Sequence, residues 1–289
     1  MTSGRDLDLR TSSLMSIGLL MAGTLLSGIC HGADTVRING SGSALDLMKP
    51  LIEAYRKIDR NVRIEIRPPL GSSGAVKALL AGALDLVVSS KPLGPEEIAK
   101  GAQLRKYGRT PLAIVTGKSV PRSDITTQEL EDIYAGKMTQ WTNGEMVRLV
   151  LRPQSDIDTA LLRALSPGMN KAVDVSRSRP GMIIAVTDHE AYDVVVQTPG
   201  ALGASGLTSI IVKKLALKVL TLNGVKPTPQ ALAGGTYPLA KEIDFVIAPG
   251  TPPAALNFIS FVYSPQGRAI AEKAGVLVTA GPAPPRLTR

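Results

Sequence analysis

The chain is poor in the residues that most catalytic and metal-binding chemistry needs. Its 289 residues include one cysteine and two histidines, and aromatic residues make up 3% of the total. Cys30 lies in a leader-like segment, so we expect no disulfide, cysteine nucleophile or thiolate metal site beyond it. His189 is the single histidine after that segment, which leaves a catalytic triad or a histidine metal site without partners. We therefore expect neither an enzyme nor a bound metal or cofactor.

The chain also lacks the features of nucleic-acid-binding and membrane-spanning proteins. Its formal net charge is +9, but the basic residues are scattered and are not interleaved with aromatic residues. After residue 33 no stretch is apolar enough to span a bilayer. A basic surface can instead help to attract small anions.

Residues 1–33 have the pattern of a secretory signal peptide. Arg5 and Arg10 precede an apolar run from Leu14 to Ile29, which is short for a membrane span, and polar sequence follows from Asp34. The sequence therefore predicts an exported, periplasmic protein. Lipidation at Cys30 is the less favoured alternative, because bulky Ile29 stands where a lipobox has a small residue.

From Asp34 onward, strand-like and helix-like segments alternate, which predicts an α/β fold with parallel strand pairs. The first block consists of a strand at 35–39, a helix at 45–58, a strand at 62–67, a helix at 75–81 and a strand at 84–89. In the second block we predict a helix at 155–165 with a capping box from Ser155 to Asp158, a strand at 182–186 and a helix at 188–197. A further strand at 243–249 and helices at 254–261 and 265–274 follow.

Three serine-rich turns follow the first three predicted strands. They are Gly40-Ser41-Gly42-Ser43, Gly71-Ser72-Ser73-Gly74 and Ser89-Ser90. At a helix start, free backbone N–H groups and the helix dipole favour an anion, so the turns predict a shared site for a small anion. The alternative is that these serines are only helix caps.

The order of motifs resembles that of the periplasmic phosphate-binding protein of ABC importers, a type II periplasmic binding protein. The matching segments include Ile38–Ser43, Gly71–Lys77, Gly82–Leu93, Pro199–Gly203 and Tyr237–Leu239. The resemblance implies two α/β lobes, each a mixed sheet flanked by helices, with the ligand in the cleft between them. Lobe one would be residues 35–112 plus 240–280, lobe two residues 113–239, and residues 281–289 a loose tail.

The resemblance also implies the ligand contacts of a monomeric protein that serves an ABC permease. By the resemblance they are Ser41, Gly42, Ser43, Ser72 or Ser73, Arg152 and Thr187. Ser90, Ser155 and Asp156, which stand where this chain departs from the family pattern, are further candidate contacts. Arg152 would grip the oxyanion with its guanidinium. Alternatively, Arg152 is a structural ion-pair partner, and Asp156 and Asp158 only stabilise a helix start.

Two departures from the family bear on which anion is bound. Phosphate binders of this family have an aspartate where this chain has Ser90, and a Gly-Ser-Gly-Thr helix start where this chain reads Pro153 to Asp158. Loss of the carboxylate favours sulfate, whereas the gain of Asp156 and Asp158 favours protonated phosphate. We hypothesise that Asp156 replaces the missing acceptor. A sensor or adhesion protein of the same fold, without a transport role, is the alternative function.

Overall fold

A computed structural model describes residues 34–279 and residue 281. The predicted signal peptide and residues 282–289 of the predicted tail lie outside the described residues. The strands are β1 (Asp34–Gly40), β2 (Val62–Ile66), β3 (Leu86–Ser89), β4 (Gln103–Thr116), β5 (Asp124–Ile125), β6 (Arg148–Leu151), β7 (Ile183–Ile184), β8 (Ala201–Gly206), β9 (Lys218–Val219), β10 (Thr221–Leu222), β11 (Ala240–Ile247) and β12 (Leu277–Val278). The helices are α1 (Gly42–Tyr55), α2 (Gly71–Leu80), α3 (Pro95–Ala99), α4 (Thr127–Tyr134), α5 (Ile157–Ala164), α6 (Pro167–Ser178), α7 (Asp188–Gln197), α8 (Leu207–Lys213), α9 (Pro229–Ala233), α10 (Pro253–Val262) and α11 (Pro265–Lys273).

One mixed sheet runs through the molecule, and a long strand joins its two parts. The strand order is β2-β1-β3-β11-β4-β8-β6-β7, and β1 pairs in parallel with both β2 and β3, as the sequence predicted. The first part of β4, residues 103–111, pairs with β11, and its last part, residues 112–116, pairs with β8. β4 therefore belongs to both halves of the fold.

Two large hydrophobic cores lie on either side of this crossing. One combines residues 36–107 with residues 243–276 and contains Tyr55, Phe245 and Phe258. The other lies within residues 112–239, apart from β12, and contains Trp141, Met169 and Tyr237 among others. The fold is a two-lobed α/β fold. The distribution of the cores supports the predicted lobe boundaries, which stay a prediction.

Several element boundaries differ from those predicted. α1 begins at Gly42 and α2 at Gly71, so the serine-rich turns are the first helical turns and not loops that precede them. α5 begins at Ile157 with Asp156 as its N-cap, so the predicted capping box at Ser155 is wrong. The strand predicted at 182–186 is only Ile183–Ile184. β4 is not predicted by the sequence pattern, because its first half carries several charged residues and shows no clear alternation.

The carboxyl ends of β1 and β3 are held close together by a glycine. Gly40 has φ +157°, and a Cβ there would lie 1.9 Å from the Val88 carbonyl oxygen. The Ser41 N–H donates to the same oxygen at 3.0 Å. A side chain at position 40 would push the strands apart, so the close approach of β1 and β3 requires glycine here.

Candidate functional site

A cavity of about 320 Å³ lies where the serine-rich helix starts meet the segment that follows β6 and residues from α5, α7 and β11. Polar and charged residues supply much of its wall, and apolar residues such as Leu70 and Val186 supply the rest. The polar and glycine residues that line it are Ser41, Gly42, Gly71, Ser72, Ser73, Gly74, Lys91, Arg152, Ser155, Asp156, Thr187, Asp188 and Lys241. Its volume suits a small ligand.

The start of α1 is occupied by a carboxylate of the protein itself. Asp188, the first residue of α7, accepts a hydrogen bond from the Ser43 N–H at 3.2 Å through Oδ2. The Ser41 hydroxyl approaches the same oxygen at 3.4 Å and does not cap its own helix. The first serine-rich turn therefore does bind an anionic group, and that group is Asp188.

The start of α2 is open to the cavity. The Ser72 hydroxyl accepts a hydrogen bond from the Ser90 N–H at 3.0 Å, which ties the second turn to the third. Asn39 fixes the segment before α2, because its Oδ1 accepts from the Leu70 N–H at 2.8 Å. Ser73 is exposed on the cavity wall, and no side chain caps this helix. Its first N–H groups are thus available to a ligand.

Arg152 follows β6 and is held by several partners. Its side chain is 6% exposed. One terminal nitrogen donates to the Ala185 carbonyl at 2.7 Å, and the other lies 2.8 Å from Asp156 Oδ2 and 3.9 Å from Asp188 Oδ1. Arg152 is therefore both an ion-pair partner and a cation on the cavity wall.

Lys241 is a second buried cation on the cavity wall, and it is not among the predicted site residues. It lies in β11, its side chain is 1% exposed, and its Nζ is 2.6 Å from Asp188 Oδ1 and 2.7 Å from Asp158 Oδ1. A sequence signal was present, because this lysine lies two residues after the Tyr237–Leu239 segment and two residues before the strand predicted at 243–249. A buried lysine needs a carboxylate partner, and here it has two.

The burial of these groups shifts their ionisation in opposite directions. Burial raises the pKa of Asp158 to about 7, against the attraction of Lys241. Burial also disfavours the charge on Asp188, but Lys241 and Arg152 outweigh it and hold the pKa of this carboxyl well below its usual range. Burial lowers the pKa of Lys241, but Asp158 and Asp188 raise it further, so the net pKa is above the usual value. Asp188 and Lys241 are therefore charged at neutral pH, while Asp158 titrates near it.

Comparisons with known proteins identify the family. A family model described as PBP superfamily domain matches residues 30–266. The chain belongs to this superfamily. Among curated relatives, Phosphate-binding protein PstS of Borreliella burgdorferi is 23% identical over 90% of this chain and 96% of the relative. Protein SphX of Synechococcus elongatus is 28% identical over 78% and 72%, respectively. Phosphate-binding protein PstS 2 of Streptococcus agalactiae serotype V is 32% identical over 37% of this chain and 36% of the relative.

Solved structures agree with the fold. A crystal structure from Clostridium perfringens with bound phosphate has a TM-score of 0.73 at 21% identity, covering 85% of this chain and 100% of the other. An ABC-type phosphate transport receptor from Vibrio cholerae has a TM-score of 0.58 at 21% identity, covering 84% and 99%, respectively. The predicted two-lobed fold and the resemblance to phosphate-binding proteins are confirmed.

In this PBP superfamily member, the cavity brings together most of the predicted contacts. Ser41, Gly42, Ser72, Ser73, Arg152, Ser155, Asp156 and Thr187 line it. Ser43 and Ser90 do not line it, although both are buried beside it. The Ser90 and Ser43 hydroxyls have no hydrogen-bond partner within the part of the chain that the structure describes.

Three predicted site residues have structural roles as well. Asp156 Oδ1 accepts from the Asp158 N–H at 2.9 Å and Oδ2 from Arg152, so both of its oxygens have partners. The Thr187 hydroxyl caps α7 through the Glu190 N–H at 3.1 Å. The Ser155 carbonyl accepts a hydrogen bond from Lys91 Nζ, which joins the third turn to the start of α5.

His189, for which the sequence offers no triad or metal partner, lies beside a buried carboxylate. It lies in the first turn of α7, but its Nε2 is 3.4 Å from Oδ1 of the buried Asp46 in α1. The ring also lies against Tyr192, with centroids 5.4 Å apart. No cluster of His, Cys, Asp and Glu suited to a metal occurs among the described residues. None of the described helices has both the length and the hydrophobicity to cross a bilayer.

Proposed function

We propose that this protein is an exported solute-binding protein that captures a small oxyanion, phosphate foremost, for an ABC importer. The observation that carries the proposal is the convergence of Arg152, Lys241 and the open start of α2 on one cavity. Guanidinium groups and helix N-termini both favour oxyanions. The names of the curated relatives support phosphate as the ligand.

In this proposal the oxyanion lies between the start of α2 and Arg152. The first N–H groups of α2 and the Ser73 hydroxyl donate hydrogen bonds from one lobe. Arg152 supplies charge from the other lobe, and its hydrogen bond to Ala185 and its ion pair with Asp156 hold the guanidinium in place. Lys91, on the cavity wall, adds a cation near the entrance.

The carboxylates of the wall bear on the choice between phosphate and sulfate. Asp156 and Asp188 repel any anion, and protonated phosphate can offset the repulsion by donating a hydrogen bond, which fully ionised sulfate cannot. This favours phosphate. That Asp156 replaces the carboxylate missing at Ser90 stays a hypothesis, and the two partners of Asp156 argue against it. Unchanged phosphate affinity in Asp156→Asn would reject it.

Isothermal titration calorimetry and thermal unfolding with phosphate and sulfate test the proposed function. At a phosphate concentration of about 100 times the Kd, binding adds about 2.7 kcal/mol to the free energy of unfolding, which raises Tm by about 5 °C or more. Arg152→Lys keeps the charge but loses the guanidinium fork, so we expect at least about a tenfold loss of affinity. Arg148→Lys, at an exposed position on the same strand, is the matched control and leaves affinity unchanged.

Two outcomes would contradict the proposal. If neither anion raises Tm nor gives binding heat, the alternative of a same-fold sensor or adhesion protein replaces it. If Arg152→Lys and Arg148→Lys bind phosphate equally well, Arg152 is only a structural ion-pair partner. A periplasmic location is part of the proposal and rests on the predicted signal peptide.

A further inference from the structure

Asp188 is bound by the first serine-rich turn in the way that a ligand carboxylate would be. One oxygen takes the Ser43 N–H at 3.2 Å and the other lies 2.6 Å from Lys241 Nζ. The Asp188 side chain is 8% exposed, so water has little access to these hydrogen bonds. Backbone amide, hydroxyl and ammonium donors around a carboxylate form the same set that binds a free oxyanion.

Asp188 packs tightly against the first serine-rich turn. A Cβ built on Gly42 would lie 2.7 Å from the Asp188 Cβ and 2.8 Å from its Oδ2. The turn and the aspartate are therefore in close contact. An oxyanion that is to reach the Ser43 N–H has to displace the carboxylate.

The turn has more donor capacity than Asp188 uses. The Ser43 hydroxyl is buried in the same turn and has no partner within the described chain. α1 is a helix of 14 residues, and the first turn carries its dipole. Asp188 takes the Ser43 N–H and the Ser41 hydroxyl, which leaves the Ser43 hydroxyl as a further donor for a tetrahedral oxyanion.

We propose that Asp188 is an internal anion that competes with the captured oxyanion for the first turn and for Lys241. This proposal rests on the proposed function. The competition weakens capture and provides a carboxylate that takes over the donors when the ligand leaves. Asp188 is thereby a residue that sets affinity, and it acts from the opposite lobe to the turn that it occupies.

Phosphate titration of Asp188→Asn tests the proposal. The asparagine keeps the size of the side chain but removes a negative charge beside the ligand and frees Lys241. We expect phosphate affinity to rise by about tenfold or more, and sulfate affinity to rise as well. Asp193→Asn makes the same change of charge at an exposed position of α7, and we expect it to alter affinity by less than about twofold.

The opposite reading is that Asp188 stays in place and accepts the proton of bound phosphate. In that case Asp188→Asn weakens phosphate binding, and this result, or an unchanged affinity, overturns the proposal. If the wild type and both variants bind no oxyanion, the proposed function itself fails. That result is distinct from the other two.

A crystal structure of the wild type grown with phosphate decides the question if Asp188→Asn does not fold. We expect a phosphate oxygen within hydrogen-bond distance of the Ser43 N–H, with Asp188 turned away. Phosphate bound elsewhere in the cavity, with Asp188 still on the Ser43 N–H, overturns the proposal.

Discussion

The two serine-rich helix starts have similar sequences and different occupants. The start of α1 binds the carboxylate of Asp188, which lies 145 residues after Ser43 in the chain. The other oxygen of Asp188 accepts a hydrogen bond from Lys241. The start of α2 faces the cavity, and Lys91 on the same cavity wall donates a hydrogen bond to the Ser155 carbonyl. A glycine-serine helix start therefore indicates the capacity to bind an anion, but the tertiary structure decides whether a ligand or the protein fills it.

The largest expected difference lies in the cations beside the two turns. In Lys241→Met, Asp158 and Asp188 keep their burial but lose their ammonium partner. We expect a loss of about 3–5 kcal/mol in the free energy of unfolding. Lys91→Met is the matched control at the second turn, where the ammonium is partly exposed, and we expect a loss below about 1 kcal/mol. Urea denaturation measures both, and equal losses would remove the distinction between the turns.

A second expected difference concerns the pH dependence of stability, because Lys241, which pairs with Asp188 at the first turn, also pairs with the titrating carboxyl of Asp158. The folded protein raises the pKa of Asp158 to about 7, so it binds this proton more tightly than the unfolded chain does. Stability from this group is present at low pH and falls as pH rises from about 4 to about 7. Asp188 has a lowered pKa and contributes a constant amount in this range, since its stabilisation is lost only at more acidic pH.

Urea denaturation at pH 5 and pH 8 therefore separates the wild type from Asp158→Asn. We expect the wild type to lose about 2–3 kcal/mol between these pH values through Asp158. Asp158→Asn lacks this contribution and declines less. Parallel pH profiles for the two proteins would show that Asp158 does not change its protonation state between pH 5 and pH 8.

The local elements of the fold could be predicted from the sequence, whereas the long-range strand pairings that join them could not. The first βαβαβ segment was predicted because each element has its own hydrophobic pattern and ends in a turn signal. The predicted starts of α1 and α2 lie three and four residues too far along the chain, because glycine and serine are typical of loops but here form the first helical turn. β4 was missed because its pairing with β11 and β8, and not its own pattern, makes it a strand.

The candidate site shows the same division. Both turns could be predicted from their glycine and serine motifs, whereas Arg152 and Asp156 were predicted only through the resemblance to phosphate-binding proteins. Lys241 and the part played by Asp188 were not, because the two residues are 53 positions apart and meet only in the folded chain. The position of Lys241 beside a predicted buried strand indicates burial, but the sequence does not identify the carboxylates that pair with it.

The smallest expected effect compares one glycine in each turn. In Gly42→Ala, the new methyl would lie 2.7 Å from the Asp188 Cβ, so the aspartate has to shift, and we expect a loss of about 1–2 kcal/mol. In Gly74→Ala the nearest atom is the Leu70 Cβ at 3.3 Å, and Leu70 is 56% exposed and free to yield. Alanine is also a better helix former than glycine, so we expect a change between zero and a gain of about 0.5–1 kcal/mol. Thermal unfolding of the two variants measures the difference. If Gly42→Ala is as stable as Gly74→Ala, Asp188 is not packed against the first turn, and the two helix starts are alike in structure as well as in sequence.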